Sequence, residues 1–201
     1  MNHEHAPSWN TPENNQPSHE RQPEKTTPAI YVSSLADYVN GYLTGEWIDA
    51  TQDIDTIREE IQAMLATSKS PAAEEYTIHD FEGFGTLRIG EYEDLDRVVA
   101  LAEGVAKHGE AFACWVDYTN LDPEDWDKFE DAYLGSYDSE DAYAEHLIEE
   151  MNLEKELDDT IPEFYRSYVT IDKKKLLRDL MHGSIWTMDF DGQTLVFNSH
   201  I

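Results

Sequence analysis

PAIYVSSLADYVNGYLTGEWIDA, residues 28–50, carries the first decision about the fold. Ala29 to Ser33 reads as a strand, and Gly45 to Ala50 as a second with Trp47 as its large apolar residue. Between them, Gly41 and Gly45 punctuate an expected loop containing Asp37, Tyr38 and Asn40. Downstream, Asp53 is placed to cap a helix in which Ile54, Ile57, Ile61, Met64 and Leu65 recur at helical spacing. Arg58, Glu59, Glu60 and Gln62 stay outside, and Ser68 to Pro71 end the helix. Tyr76 to Phe81 gives a third strand, followed by a tight turn or bulge at Gly83-Phe84-Gly85. One helix against three strands makes a small α+β unit over 28–90.

From Glu91 the pattern turns helical. Leu95, Val98, Val99, Ala102 and Val105 form one apolar stripe, which Gly109 stops. Ala111, Phe112, Trp115 and Val116 mark a short second helix. A third starts with Asp122 as cap, Pro123 in the first turn, and Glu124 and Asp125 beside the positive helix end. Trp126, Phe129 and Tyr133 are expected on its buried face, with Gly135 closing it. This makes a central helical domain, 91–135. After Ser139 a further helix carries Tyr143, Leu147, Ile148 and Met151 inward, and Ile161-Pro162 breaks the chain. Asp172 caps a helix with Leu176, Leu177, Leu180 and Met181 inward. The chain closes on a hairpin, Ile185 to Phe190 and Thr194 to Phe197 around Asp191-Gly192. The expected fold class is therefore α+β: an N-terminal three-stranded sheet with a helix, a central helical domain, and a C-terminal α+β domain, 136–201.

Residues 1–27 are rich in Pro, His, Asn, Gln and Glu and read as a disordered tail. His3, His5 and His19 have no regular spacing there. The remainder can fold: the chain is 40% hydrophobic, with five Trp and eleven Tyr.

Charge dominates the composition. There are 43 Asp and Glu against 14 Lys and Arg, a formal net of −29 in 201 residues. Residues 91–165 hold 24 acids and 4 bases, whereas 166–201 hold 4 acids and 5 bases. Adaptation to high salt is diffuse, but here the last segment escapes the acidity and includes the run Lys173-Lys174-Lys175. Such a surface repels nucleic acid and anionic membrane, and its natural partners are cations or basic protein surfaces. The single cysteine, Cys114, allows no disulfide within the chain, and its apolar neighbours suit a buried thiol. No apolar run approaches a membrane span, and no secretory start is present, so the expected location is the cytoplasm.

Enzyme signatures are absent: no phosphate loop, dinucleotide fingerprint or serine elbow. Zinc lacks paired ligand spacing, and Asp117 to Asp127 lacks the central Gly of a calcium loop. The reading is of a non-enzyme with no catalytic residue, metal or cofactor, although a glycosidase-like carboxylate pair stays open. The acids fall on solvated helix faces, as Glu145, Glu149, Glu150 and Glu154 do. Like charges at that spacing destabilise an isolated helix slightly, and few Lys partners relieve them. Residues 28–165 carry a net −28, which equals the charge on about 48 Å of duplex DNA. Steps of four residues along a helix advance about 6 Å, so acidic rows can present anions at phosphate-like spacings.

PAIYVSSLADYVNGYLTGEWIDA (28–50), IREEIQAML (57–65), EEYTIHDFEGFG (74–85), GEYEDLDRV (90–98) and HGEAFACWV (108–116) together resemble, in order, the ArdA family of antirestriction proteins. The resemblance covers 28–201, fitting beyond Tyr118 in kind rather than residue by residue. It implies an elongated, curved chain of three small domains that dimerises through the C-terminal one. Such proteins are carried on plasmids and transposons, mimic DNA, and bind Type I restriction–modification enzymes to protect incoming DNA. The mimic surface is then expected on Asp94, Asp96, Glu103, Asp122, Glu124, Asp125, Asp127, Glu130, Asp131, Asp138, Glu140, Asp141, Glu145, Glu149, Glu150, Glu154, Glu156, Asp158 and Asp159. A homodimer contact is expected at Trp186, Phe190, Leu195 and Phe197, some of which serve equally well as core. The alternative is an acidic, chaperone-like binder of basic proteins.

Overall fold

The computed structural model describes residues 26–42, 44–71 and 73–200. Apart from Thr26 and Thr27, the expected tail lies outside the described residues. The protein is a mixed α+β chain with two three-stranded antiparallel sheets among these residues.

In the first sheet, β1 (Ala29–Ser34) lies between β2 (Gly45–Asp49) and β3 (Tyr76–Glu82). Strand alternation sends Ile30, Val32, Ile48 and Ile78 to one face, where all are buried. They pack against Ile57, Ile61, Met64 and Leu65 of α2 (Ile54–Ala66). Asp53 caps α2 as expected, accepting from the Thr56 N–H at 3.0 Å. The pairing of β1 with β3 shifts between Tyr31 and Val32, leaving His79 as the extra residue of a bulge.

The segment expected to be a loop before Gly41 is instead a short helix, α1 (Leu35–Val39). Ser34 caps it, its Oγ accepting from the Asp37 N–H at 3.3 Å. Buried Asp37 in turn ties α1 to the loop after α2, accepting from the N–H groups of Lys69 (3.1 Å) and Ser70 (2.9 Å). Burial pushes the Asp37 carboxyl up, but hydrogen bonds from Ser70, Ser68, Lys69 and Thr44 together hold it far below its ordinary value.

Helices α3 (Leu95–His108) and α4 (Glu110–Thr119) meet at Gly109, whose φ of 71° is open to glycine. Phe112, Trp115, Trp126 and Phe129 form an aromatic cluster with mostly edge-on contacts. The helix expected from Pro123 to Gly135 is shorter. A 3-10 turn (Pro123–Lys128) and α5 (Phe129–Ala132) stop at Ala132, and β4 (Tyr133–Tyr137) begins. The reason is tertiary: Tyr133 pairs with Phe197 and Gly135 with Val196, so the last strand captures this backbone.

Helices α6 (Glu140–Glu150), α7 (Leu153–Thr160), α8 (Glu163–Arg166) and α9 (Lys173–Met181) precede the hairpin of β5 (Ile185–Phe190) and β6 (Gln193–Asn198). Met151, expected inward, is 56% exposed because α6 has already ended. Asp191 (φ 47°) and Gly192 (φ 76°) make the tight turn that the sequence predicts. The second sheet runs β4-β6-β5 and is covered on both faces. Leu195 and Phe197 join the aromatic cluster, while Val196 faces a second cluster with Tyr143, Ala144, Leu177 and Ile185.

Candidate functional site

Among the described residues no group of His, Cys, Asp and Glu is placed to hold a metal ion. Cys114 is buried, and desolvation pushes its thiol up, away from the reactive thiolate. No helix among the described residues is long and apolar enough to cross a membrane. What the surface offers instead is carboxylate.

The clearest array stands on α6. Ser139 starts the helix, its Oγ accepting from the Ala142 N–H at 3.1 Å. Tyr143, Ala144 and Ile148 anchor its inner face. Asp141, Glu145 and Glu149 rise along the flank beside that face as one row, all exposed. Each step of the row covers about 6 Å. Asn152, in the left-handed region at φ 51°, turns the chain into α7. There Glu154, Glu156, Asp158 and Asp159 extend the exposed acids, with Leu153 and Leu157 half-buried beneath.

The other expected residues also lie on the surface. Asp94 caps α3, accepting from the Asp96 N–H at 2.8 Å, and Asp96 and Glu103 follow along that helix. Asp122 precedes the 3-10 turn and Glu124 and Asp127 lie on it; its Trp126 is buried with its Nε1–H donated to the Leu121 carbonyl at 3.1 Å. Glu130 and Asp131 lie on α5, Asp138 follows β4, and Glu140 and Glu150 bound α6. Of the nineteen expected acids all are exposed but Asp125, which is half-buried and paired with Lys128 at 2.6 Å.

Compensation is sparse. Besides Asp125, four of the nineteen reach a Lys or Arg: Asp96 with Arg58 (3.4 Å), Glu130 with Lys107 (2.6 Å), Glu145 with Lys173 (2.5 Å) and Asp158 with Arg166 (3.1 Å). The Lys107 hydrogen bond and charge hold Glu130 below its ordinary value, and Glu145 pushes Lys173 up. The other acids make no close ion pair with a Lys or Arg among the described residues, although Asp141 and Glu154 act on Lys173, and Asp127 on Lys128, through charge alone. Neighbours about 6 Å apart lie within one Debye length of about 8 Å, so their repulsion is only partly screened.

One acid escapes the sequence pattern. Asp189 pairs with Thr194 in the hairpin register, which brings it into a hollow of about 660 Å3 with Asp138, Glu140 and Asp141. Only the pairing of β5 with β6 beside the start of α6 reveals it.

The residues expected at a dimer contact divide. Leu195 and Phe197 are buried inside the chain. Trp186 and Phe190 are half-buried, and Trp186 lies between the rings of Tyr118 and Phe197, each at 4.2 Å. The outer edge of β5 has no strand partner among the described residues.

No curated protein matches the chain. The family described as Antirestriction protein (ArdA) matches residues 30–190.

Proposed function

The chain belongs to the ArdA family of antirestriction proteins, and from that premise we propose that it is a DNA mimic, occupying the DNA-binding channel of a Type I restriction–modification enzyme. Antirestriction, an action against restriction enzymes, is what family membership implies. The decoy mechanism is supported by one observation above all: carboxylates crowd α5, α6 and α7, exposed and mostly without ion-paired bases.

A channel built for duplex DNA is lined with Lys and Arg that give up bound counterions when phosphates arrive. Rows of fixed carboxylates satisfy the same cations. Long-range attraction raises the encounter rate, and the bound decoy excludes DNA by occupancy. No bond is made or broken, so no catalytic group is required. Incoming DNA, such as that of a plasmid or transposon, escapes cleavage while the channel is filled.

The proposal includes three units in line, 28–90, 91–135 and 136–201. It also includes a homodimer through the β5–β6 hairpin, with Trp186 and Phe190 contributing their exposed parts. The near-neutral segment 166–201 is where a second copy meets least repulsion.

Competition decides the matter. The purified chain is added to labelled DNA bound by a Type I enzyme, and separately by an unrelated basic DNA-binding protein. Displacement from the first alone, weakening as salt rises, is expected. Equal displacement from both would favour an indiscriminate binder of basic proteins, and no displacement from the Type I enzyme overturns the decoy.

A further inference from the structure

The outer face of the first sheet is unlike the rest of the surface. Directly paired residues on antiparallel strands share a face, so the register sets two rows across it. One row is Trp47, Tyr31 and Asp80; the next is Asp49, Ala29 and Glu82. Trp47 is 46% exposed, an unusual position for the largest apolar side chain. Its ring meets Tyr31 at 5.6 Å and 54°. The Tyr31 ring leans the other way along the sheet, over Gly45, where a Cβ would meet its hydroxyl at 2.7 Å. Ala29 is therefore left partly open between two exposed carboxylates.

That gap has a definite chemistry. Asp49 and Glu82 stand two strands apart, with about 10 Å between their backbones, so carboxylates leaning slightly inward can each accept a hydrogen bond of about 2.9 Å from one guanidinium. The Asp49 carboxylate is held in place, one oxygen accepting from the Thr51 N–H (2.8 Å) and hydroxyl (2.7 Å). The adjoining indole offers a π face to the same cation. Elsewhere the chain fills such a face itself: Arg97 lies 5.1 Å from the Trp126 ring. No cation of the described residues covers Trp47.

We propose that this face grips one arginine side chain of the basic protein that the chain captures, with the guanidinium between Asp49 and Glu82 and against Trp47. The inference rests on the decoy reading above. It adds to a diffuse field one local, pre-shaped contact, of the kind that dominates protein interfaces when an aromatic and an arginine meet.

The test measures displacement of DNA from a Type I enzyme by the full-length chain and its variants. Trp47→Ala is expected to weaken inhibition about tenfold without changing the salt dependence, since no charge is lost. Trp47→Phe, which keeps a ring, should recover most of that loss. Nona-arginine and nona-lysine peptides, equal in charge, give a second reading: the wild type's preference for the arginine peptide should shrink in Trp47→Ala. Inhibition and peptide preference both unchanged in Trp47→Ala overturn the arginine grip. The parallel variant neutralising Asp141, Glu145, Glu149 and Glu154 separates the two ideas. If it loses inhibition while Trp47→Ala is silent, the decoy stands and the grip falls. If it inhibits as the wild type does, the decoy falls, and the grip as proposed falls with it.

Discussion

Gly104 of α3 lies directly beneath the ring of Phe112 of α4: a Cβ on Gly104 would sit 2.2 Å from Phe112 Cε1. The two helices meet at Gly109, and this close approach lets the aromatic cluster seal against α3. Gly104→Ala should therefore destabilise the fold by about 1–3 kcal/mol through overpacking, despite alanine's better helix propensity. Gly183, with nothing within 4 Å, is the control; Gly183→Ala should change stability by no more than about 0.5 kcal/mol. Urea unfolding of both variants checks the contrast.

Asp37 makes stability depend on acid. Its carboxyl is held far below the ordinary value of 3.8 in the folded chain. A depressed folded value means that the stabilisation is complete above the unfolded value and is lost as pH falls through and below it. The wild type should lose stability below about pH 4. Asp37→Asn should be less stable at neutral pH and should lose less on acidification. Thermal melts from pH 7 to pH 3 report both effects, and parallel slopes for the two proteins would remove Asp37 from the account.

Charge on the mimic surface should act collectively. An exposed ion pair is worth about 0–1 kcal/mol. Single changes such as Glu149→Gln or Glu156→Gln should thus shift inhibition by no more than about threefold. Neutralising Asp141, Glu145, Glu149 and Glu154 together should weaken it at least about tenfold and flatten its salt dependence. Full inhibition by that quadruple variant would show the wrong mechanism has been assigned.

Core and contact roles in the hairpin can be told apart. Leu195→Asp buries a charge within the aromatic cluster and should unfold the chain. Phe190→Asp, at a half-buried position, should keep the fold and shift a dimer towards monomer in light scattering. If the dimer survives in Phe190→Asp, the contact between copies lies elsewhere.

Much of this architecture is legible in the sequence because it is local. The stripe of α2 with its Asp53 cap, the stripe of α3 ending at Gly109, and the Asp191-Gly192 turn each follow from residues within one element. The misreadings come from distant partners. Tyr133 to Tyr137 becomes a strand because β6, some sixty residues on, pairs with it. The short helix before Gly41 depends on Asp37 reaching Lys69 and Ser70, although Ser34 three residues before Asp37 is a local capping signal. The site divides in the same way. Exposure of the acids follows from helix periodicity. Which of them are neutralised does not, since Lys107–Glu130 and Lys173–Glu145 cross 23 and 28 positions of the chain.

The strand order β4-β6-β5 has a consequence for synthesis. β4 and β5 touch only through β6, which is made after both. As the chain leaves the ribosome, the first sheet and α2 can close early, because every strand they need is already present. The second sheet cannot begin to assemble until β6 has emerged. During that interval α6 and α7 are already outside with their carboxylates, while Tyr133, Tyr137 and Ile185 wait uncovered. The like charges of those nascent acidic segments repel one another throughout that interval.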